Sequence, residues 1–400
     1  MRLSIQDFAQ ISEADIEFGE PGDLTLLVGQ QATGKSLVLQ WLKLLTDPLV
    51  VRRDWERYGS NWKIPAPLRP LDLFFGEGLG AGFRPGKTRV ALAGVTADLT
   101  SLFRKPRSGA DEPVETTYYI PAHRALLLAD GWPKNFQQHG PGTPYVARAQ
   151  SERLARWLSE SGEPVFPVSN RLPQQIRKLF DEAIFHGAKL QVDRSSPQSR
   201  LVLHAGESSV IPFMAWTAGQ REFVPLLLAL YELMPSGGLS RLRMSGKYDI
   251  KTVVLEEPEL GLHPKALFAM GVVALHLMAR GYRVVISTHS PLMVDFAWAI
   301  NRFRVAHAAN KAVAKDFLSA FEMRSTGPNN KLAETILGCR ARTYYLTYRA
   351  DGHVNSKDIS DLASYSRDPE QNSWGELLKY STRLAEVIGN LDFDFSAAGD

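Results

Sequence analysis

"LVGQQATGKSLVLQWL", residues 27–42, runs from an apolar strand through a glycine-bounded loop into an amphipathic helix. The spacing of Gly29, four residues, then Gly34, Lys35 and Ser36 is that of a phosphate-binding P-loop. In that reading Gly29, Gln30, Gln31, Ala32, Thr33, Gly34, Lys35, Ser36 and Leu37 surround the phosphates of a nucleoside triphosphate. Backbone N–H groups at the helix start cradle the anion, Lys35 reaches the β- and γ-phosphates, and the Ser36 hydroxyl takes Mg²⁺. A plain turn before a helix is the alternative. The flanks weigh against it, because "DLTLLVG" supplies the preceding strand and "SLVLQWLKLL" the following helix.

The 400-residue chain is 44% hydrophobic and 22% charged, an ordinary globular composition with length for a large core. The net charge of +3 is spread over small groups such as Arg52-Arg53, Arg104-Lys105-Arg107 and Arg241-Arg243-Lys247, so nucleic-acid binding is permitted without being indicated. One cysteine, Cys339, rules out an internal disulfide and fits a reducing compartment. The N-terminus alternates like paired strands and has no apolar signal-peptide core. The longest apolar run, 266–279, is shorter than the roughly 20 residues a membrane span needs and carries His276, so it reads as a buried helix. These features together predict a cytoplasmic protein without a membrane partner.

Residues 1–46 read as strands, P-loop and helix. A stretch rich in Pro, Gly and Trp follows, read as a loop-rich insertion over about 47–116. "TTYYIPAHR" then reads as a strand re-entering the core. A helical lobe over about 147–235 contains two amphipathic helices, a small antiparallel sheet between Gly187 and Pro212, and the long apolar helix of "AWTAGQREFVPLLLALYELM".

Two further stretches carry chemistry. "KTVVLEEPELGLHP", 251–264, is a buried strand ending in adjacent carboxylates. Beside a P-loop, Glu256 is placed to hold Mg²⁺ and Glu257 to orient and deprotonate water in line with the γ-phosphate, with Pro258 stiffening the turn. A solvated acidic turn is the alternative. "YRVVISTHSP", 282–291, is a second buried strand that ends near His289, whose imidazole can donate to a phosphate oxygen or polarise the attacking water.

The order Gly29–Ser36, "TAGQRE" at 217–222, "VVLEEPELGLHP" and "VVISTHS" resembles the P-loop, signature, Walker B, D-loop and H-loop series of ABC-type ATPases. "EEPELGLHP" resembles the non-transporter branch, which includes overcoming-lysogenization-defect, RecF and SMC relatives and ATPases of anti-phage systems of the PARIS and Septu types. The signature lies 181 residues beyond Ser36, more than compact transporter domains allow. The resemblance implies an α/β fold: an ABC-type P-loop ATPase head over 1–310 with a mixed sheet and helical signature lobe, and a mostly helical C-terminal extension over 311–400. It implies ATP and Mg²⁺ as cofactors and ATP hydrolysis with Glu257 and His289 as catalytic groups. It further implies head-to-head homo-oligomers in which Thr217, Gly219 and Gln220 contact the nucleotide of another subunit. A helix cap by Thr217 would account for the same residues. The chain departs from the pattern in Ala218, Gln220, Glu256 and "QQAT"; glutamate in place of the usual aspartate at 256 keeps the metal role and points to slow turnover. Arg124 stands as the candidate for the Q-loop.

On family analogy the expected role is the ATPase subunit of a bacterial anti-phage system, triggered by a phage protein and controlling a separately encoded effector, a nuclease or toxin. The rival is a DNA-repair or chromosome-maintenance ATPase of the RecF/SMC kind. About 110 residues follow His289, and their one Asp-x-Asp, Asp392-Phe393-Asp394, reads as a polar tail, so the chain itself is not expected to be a nuclease.

Overall fold

The computed structural model describes residues 1–59, 69–102, 112–160, 165–169, 171–195, 197–206, 209–235, 248–309, 312–363, 366 and 368–389. The Arg104, Arg241 and Asp392 groups of the sequence reading lie outside these residues.

The chain begins with a hairpin of β1 (Arg2–Phe8) and β2 (Ile11–Glu17), then β3 (Leu24–Gly29), the strand that feeds the glycine loop. The short β4 (Arg89–Leu92) and β5 (Val95–Thr96) pair at one edge, and β6 (Glu115–Ile120) returns to the core at the other. A small hairpin, β7 (Leu128–Ala129) with β8 (Trp132–Pro133), and an antiparallel sheet of β9 (Lys189–Asp193), β10 (Arg200–Ala205) and β11 (Ser209–Pro212) belong to the lobe. The last four strands are β12 (Tyr248–Glu256), β13 (Arg283–Ser287), β14 (Ala341–Tyr348) and β15 (Val354–Asp358).

Among the described residues the main sheet has ten strands in the order β5-β4-β1-β2-β15-β14-β3-β13-β12-β6. The half from β14 to β6 is parallel, and β3 and β13 are buried at every residue. Helices cover both faces there, which is why these strands read as unbroken apolar runs, whereas β1 and β2 alternate. One face packs against the lobe and the helices Pro264–Ala279 and Pro291–Ala308. The other packs against the helix Lys35–Thr46, whose Trp41 meets Phe8 and Phe75 with ring centroids 5.1 Å away in each case. The 266–279 run is a buried helix, and no helix among the described residues is long and apolar enough to cross a membrane.

Two parts differ from the sequence reading. The insertion over 47–116 is less loop-like than expected: a helix Pro48–Arg57 starts at once after Asp47, and β4 joins the main sheet through β1. That helix buries only Val50, Val51 and Trp55, so its apolar period is weak in the sequence. The region over 311–400 is helical at Ala314–Ala320, Gly327–Leu337 and Lys379–Gly389, yet it is no appendage, because β14 and β15 wedge between β2 and β3. A boundary at 310 therefore cuts through the sheet that carries the phosphate loop.

Candidate nucleotide site

Parallel pairing brings the ends of β3, β13 and β12 to one edge of the sheet. Ser287 is in register with Leu27 on one side and with Glu256 on the other. The glycine loop, the paired acids and His289 thus leave adjacent strands in the same direction, the crevice where α/β proteins place ligands.

Gly29 lies at φ 148°, and a Cβ there would sit 2.3 Å from the Leu346 carbonyl oxygen of β14, so only glycine fits. Lys35 is 5% exposed, and its Nζ donates to the carbonyls of Gly29 and Gln30 at 2.9 Å each. Burial lowers its pKa to about 8, against the opposing pull of Glu257 and Glu259. The loop is shaped by Thr33, which donates to Gln30 O at 2.8 Å, and from outside by Gln10 and Tyr348, which both donate to Ala32 O. Gln31 and Ala32 are exposed; Gly34, Ser36 and Leu37 are half-buried.

Glu256 is buried, accepts from the Ala122 amide at 3.1 Å, and leaves Oε1 without a hydrogen-bond partner. Burial raises its pKa, opposed by the Ser36 hydroxyl and the Ala122 amide. The neighbouring Ser287 hydroxyl is also buried and unpartnered. Unpaired buried oxygens are costly and call for a partner. Glu256 and Ser36 form a hard-oxygen donor set that fits Mg²⁺, which takes one or two protein oxygens and completes its shell with phosphate and water. Among the described residues no group of three or more His, Cys, Asp or Glu forms a stand-alone metal cage.

Glu257 is held in a left-handed conformation, φ 41°, unusual for a side chain of its size. Its amide donates to Ser287 O at 2.9 Å, and its carboxylate stands 3.6 Å from His289 Nε2. His289, followed by burial acting the other way, dominates the pKa of Glu257 and holds it below the usual range. Both side chains are partly exposed.

Two residues act here in ways the sequence reading did not assign. Arg124, the Q-loop candidate, is 1% exposed and donates to the carbonyls of Glu256 (2.8 Å), Glu257 and Glu222 (3.1 Å each). It fastens the acidic turn to the helix Ala218–Leu233 rather than reaching the phosphate loop. Glu259 accepts from the Thr288 hydroxyl at 2.9 Å and from the His289 amide, tying the turn to the end of β13. The second acid of "EPE" was its only signal.

Thr217, Gly219 and Gln220 are not brought onto the phosphate loop of their own chain. Thr217 caps the helix Ala218–Leu233 in a reciprocal capping box with Gln220, whose amide also donates to Ile184 O at 3.2 Å. A Cβ on Gly219 would lie 2.5 Å from the Gly261 carbonyl, so glycine lets the helix start touch the turn after the acids. Thr217 and Ala218 are exposed.

The parallel order β3-β13-β12, with loop, histidine and acids at one edge and a capped helix opening the lobe, decides the architecture. The fold is a mixed α/β head that resembles ABC-type ATPase heads. A family model described as "AAA domain, putative AbiEii toxin, Type IV TA system" matches residues 138–295. The "Old nuclease" of Escherichia phage P2 is 36% identical over 176 residues, 42% of this chain and 29% of that protein, so the match spans less than a third of the relative. An SMC head bound to the C-terminal winged-helix domain of ScpA matches with TM-score 0.42 and 11% identity, covering 89% of this chain and 96% of that one. An SMC head with an extended coiled coil from Pyrococcus furiosus matches with TM-score 0.38 and 11% identity, covering 97% and 99%.

Proposed function

We propose that this chain binds ATP with Mg²⁺ and hydrolyses it, slowly, as the head of a two-headed assembly. The observation that carries the reading is the convergence, at one sheet edge, of the Lys35 ammonium, the unpartnered Glu256 oxygen and the Glu257–His289 pair. Lys35 moves from its loop carbonyls to the phosphates, where its charge is stronger for being buried. Ser36 and Glu256 would hold the metal. Mg²⁺ bound there would neutralise phosphate charge and order its own water shell. Glu257, aimed by its backbone and by Arg124, accepts the proton of the attacking water, and His289 donates to the charge growing on the transferred phosphoryl group. Thr217, exposed at a helix start, and the half-buried Gly219 amide beside it complete the site of the other copy.

For the use made of this cycle, the nuclease relative supports a head that works with DNA, as a repair or chromosome-maintenance ATPase does. The description of the matching family model supports a place in a toxin–antitoxin system, and the rival use is control of a separate effector in phage defence. Calorimetry and phosphate release test the core reading: Lys35→Ala should lose ATP binding, and Glu257→Gln should bind ATP and hydrolyse it at least 100-fold more slowly. Duplex DNA added to the wild type separates the two uses, since stimulated hydrolysis fits the first and indifference the second.

A further inference from the structure

The helix Lys379–Gly389 carries Tyr380, Leu384, Val387 and Ile388 at positions i, i+4, i+7 and i+8, a single apolar face. All four are between 55% and 71% exposed. An apolar face left uncovered on a surface helix is costly in water and calls for a partner surface. Its root is fixed on the nucleotide site. Gly375 is packed against Tyr345 and Val28, Glu376 accepts from the phosphate-loop side chain Gln30 at 2.7 Å, and Lys379 in turn donates to Glu376. The helix therefore leaves the body within three residues of a contact to the loop.

A second apolar set is exposed beside the other half of the site. Met214, three residues before Thr217, is 67% exposed, and Val210 on β11 is 52% exposed. Two-fold closure of two heads sets the phosphate loop of each copy against the Thr217 turn of the other, so in such a pair the two apolar sets face each other twice. We propose that the Tyr380–Ile388 stripe docks on a second copy of this chain, on Met214 and Val210 beside that copy's Thr217. The inference rests on the head-to-head reading above and adds the surface that holds the closed state together. Removal of these side chains from water makes closure self-complementary, and the Gln30–Glu376 contact ties the stripe's position to the loop that receives the phosphates.

The test is sedimentation of the full chain with ATP and Mg²⁺, in a Glu257→Gln background that retains nucleotide. Leu384→Glu and Met214→Glu, both at exposed positions, should each raise the dimer dissociation constant tenfold or more while calorimetric ATP affinity is kept. In a Cys339→Ser background, a Val387→Cys chain mixed with a Met214→Cys chain should form an interchain disulfide under oxidant when ATP is present. Dimers unchanged by both glutamates, without the cross-link, overturn the docking alone. Unchanged dimers with binding to phosphatidylglycerol vesicles that Leu384→Glu abolishes overturn it in favour of a membrane surface. A parent chain that binds no ATP overturns the head reading itself, and the docking falls with it.

Discussion

The Arg124 guanidinium donates to the Glu257 carbonyl at 3.1 Å, and Glu257 is the residue whose backbone stands at φ 41°. A left-handed glutamate costs of order 1 kcal/mol and persists only where its surroundings hold it. Arg124 does so with a planar fork that also reaches Glu256 and Glu222, which lysine cannot reproduce. Arg124→Lys should therefore leave ATP affinity in place and lower kcat about 100-fold, the scale of a displacement near 1 Å at the reacting group. Restored turnover in the lysine variant would reduce Arg124 to a buried charge without a positioning role.

His289 sets the charge state of Glu257. Its imidazole is the first cause of the depressed carboxylate pKa, so the base stays ionised further into acid than a free glutamate would. In the proposed mechanism hydrolysis needs the ionised form of Glu257 and is lost as pH falls through that pKa. In His289→Ala the carboxylate returns toward its ordinary range. The acid limb of kcat against pH should therefore move to higher pH, in addition to a fall in the plateau. A lower plateau with an unmoved limb would leave His289 in contact with phosphate only.

The elements that carry the candidate site were legible because they are local: spacing gives the loop, and a run of apolar residues ending in two acids gives the strand end. What escaped is non-local. "ARTYYLTY", 341–348, has the β-branched and aromatic content of a strand, but nothing within it says that it lies beside Gly29, more than 300 residues earlier. Lys43 sits on the phosphate-loop helix, where periodicity suggests an ordinary surface lysine; it is 2% exposed because Glu115 and Asp47 meet it inside. Thr217 reads equally as a cap and as a signature residue. Within one chain it is a cap, and the signature role is a proposal about the assembly.

Lys43 offers a test of the fold that bypasses catalysis. Its Nζ donates to Asp47 at 2.7 Å and to Glu115 and the Thr117 carbonyl at 2.6 Å, joining the phosphate-loop helix to β6. Burial would push the Glu115 pKa up, but Arg153 and then Lys43 overcome it and bring it to about 2. That stabilisation is present above the ordinary carboxylate range and disappears as pH falls toward 2. Lys43→Met leaves two buried carboxylates short of a cation and should cost about 3–5 kcal/mol at neutral pH in urea unfolding. The gap to the wild type should narrow in acid, where the carboxylates protonate in the variant first. A gap independent of pH would assign the loss to packing.

The composite site is tested best at Ala218, which is exposed, whereas Gly219 touches Gly261 and Thr217 caps its own helix. A substitution at Gly219 would push on the turn that carries Glu257 and Glu259, and so damage its own chain's site whatever the partner does. Ala218→Arg avoids both contacts and places a long cation where the second copy's nucleotide would approach. ATP affinity of the single chain should persist, while hydrolysis and ATP-dependent association fall together. Mixing Ala218→Arg with Lys35→Ala puts both lesions in one site of a mixed pair and leaves the other site whole, so phosphate release should reappear in the mixture. Hydrolysis at the wild-type rate by a strictly monomeric Ala218→Arg chain would remove the trans role and leave Thr217 as the cap of a helix.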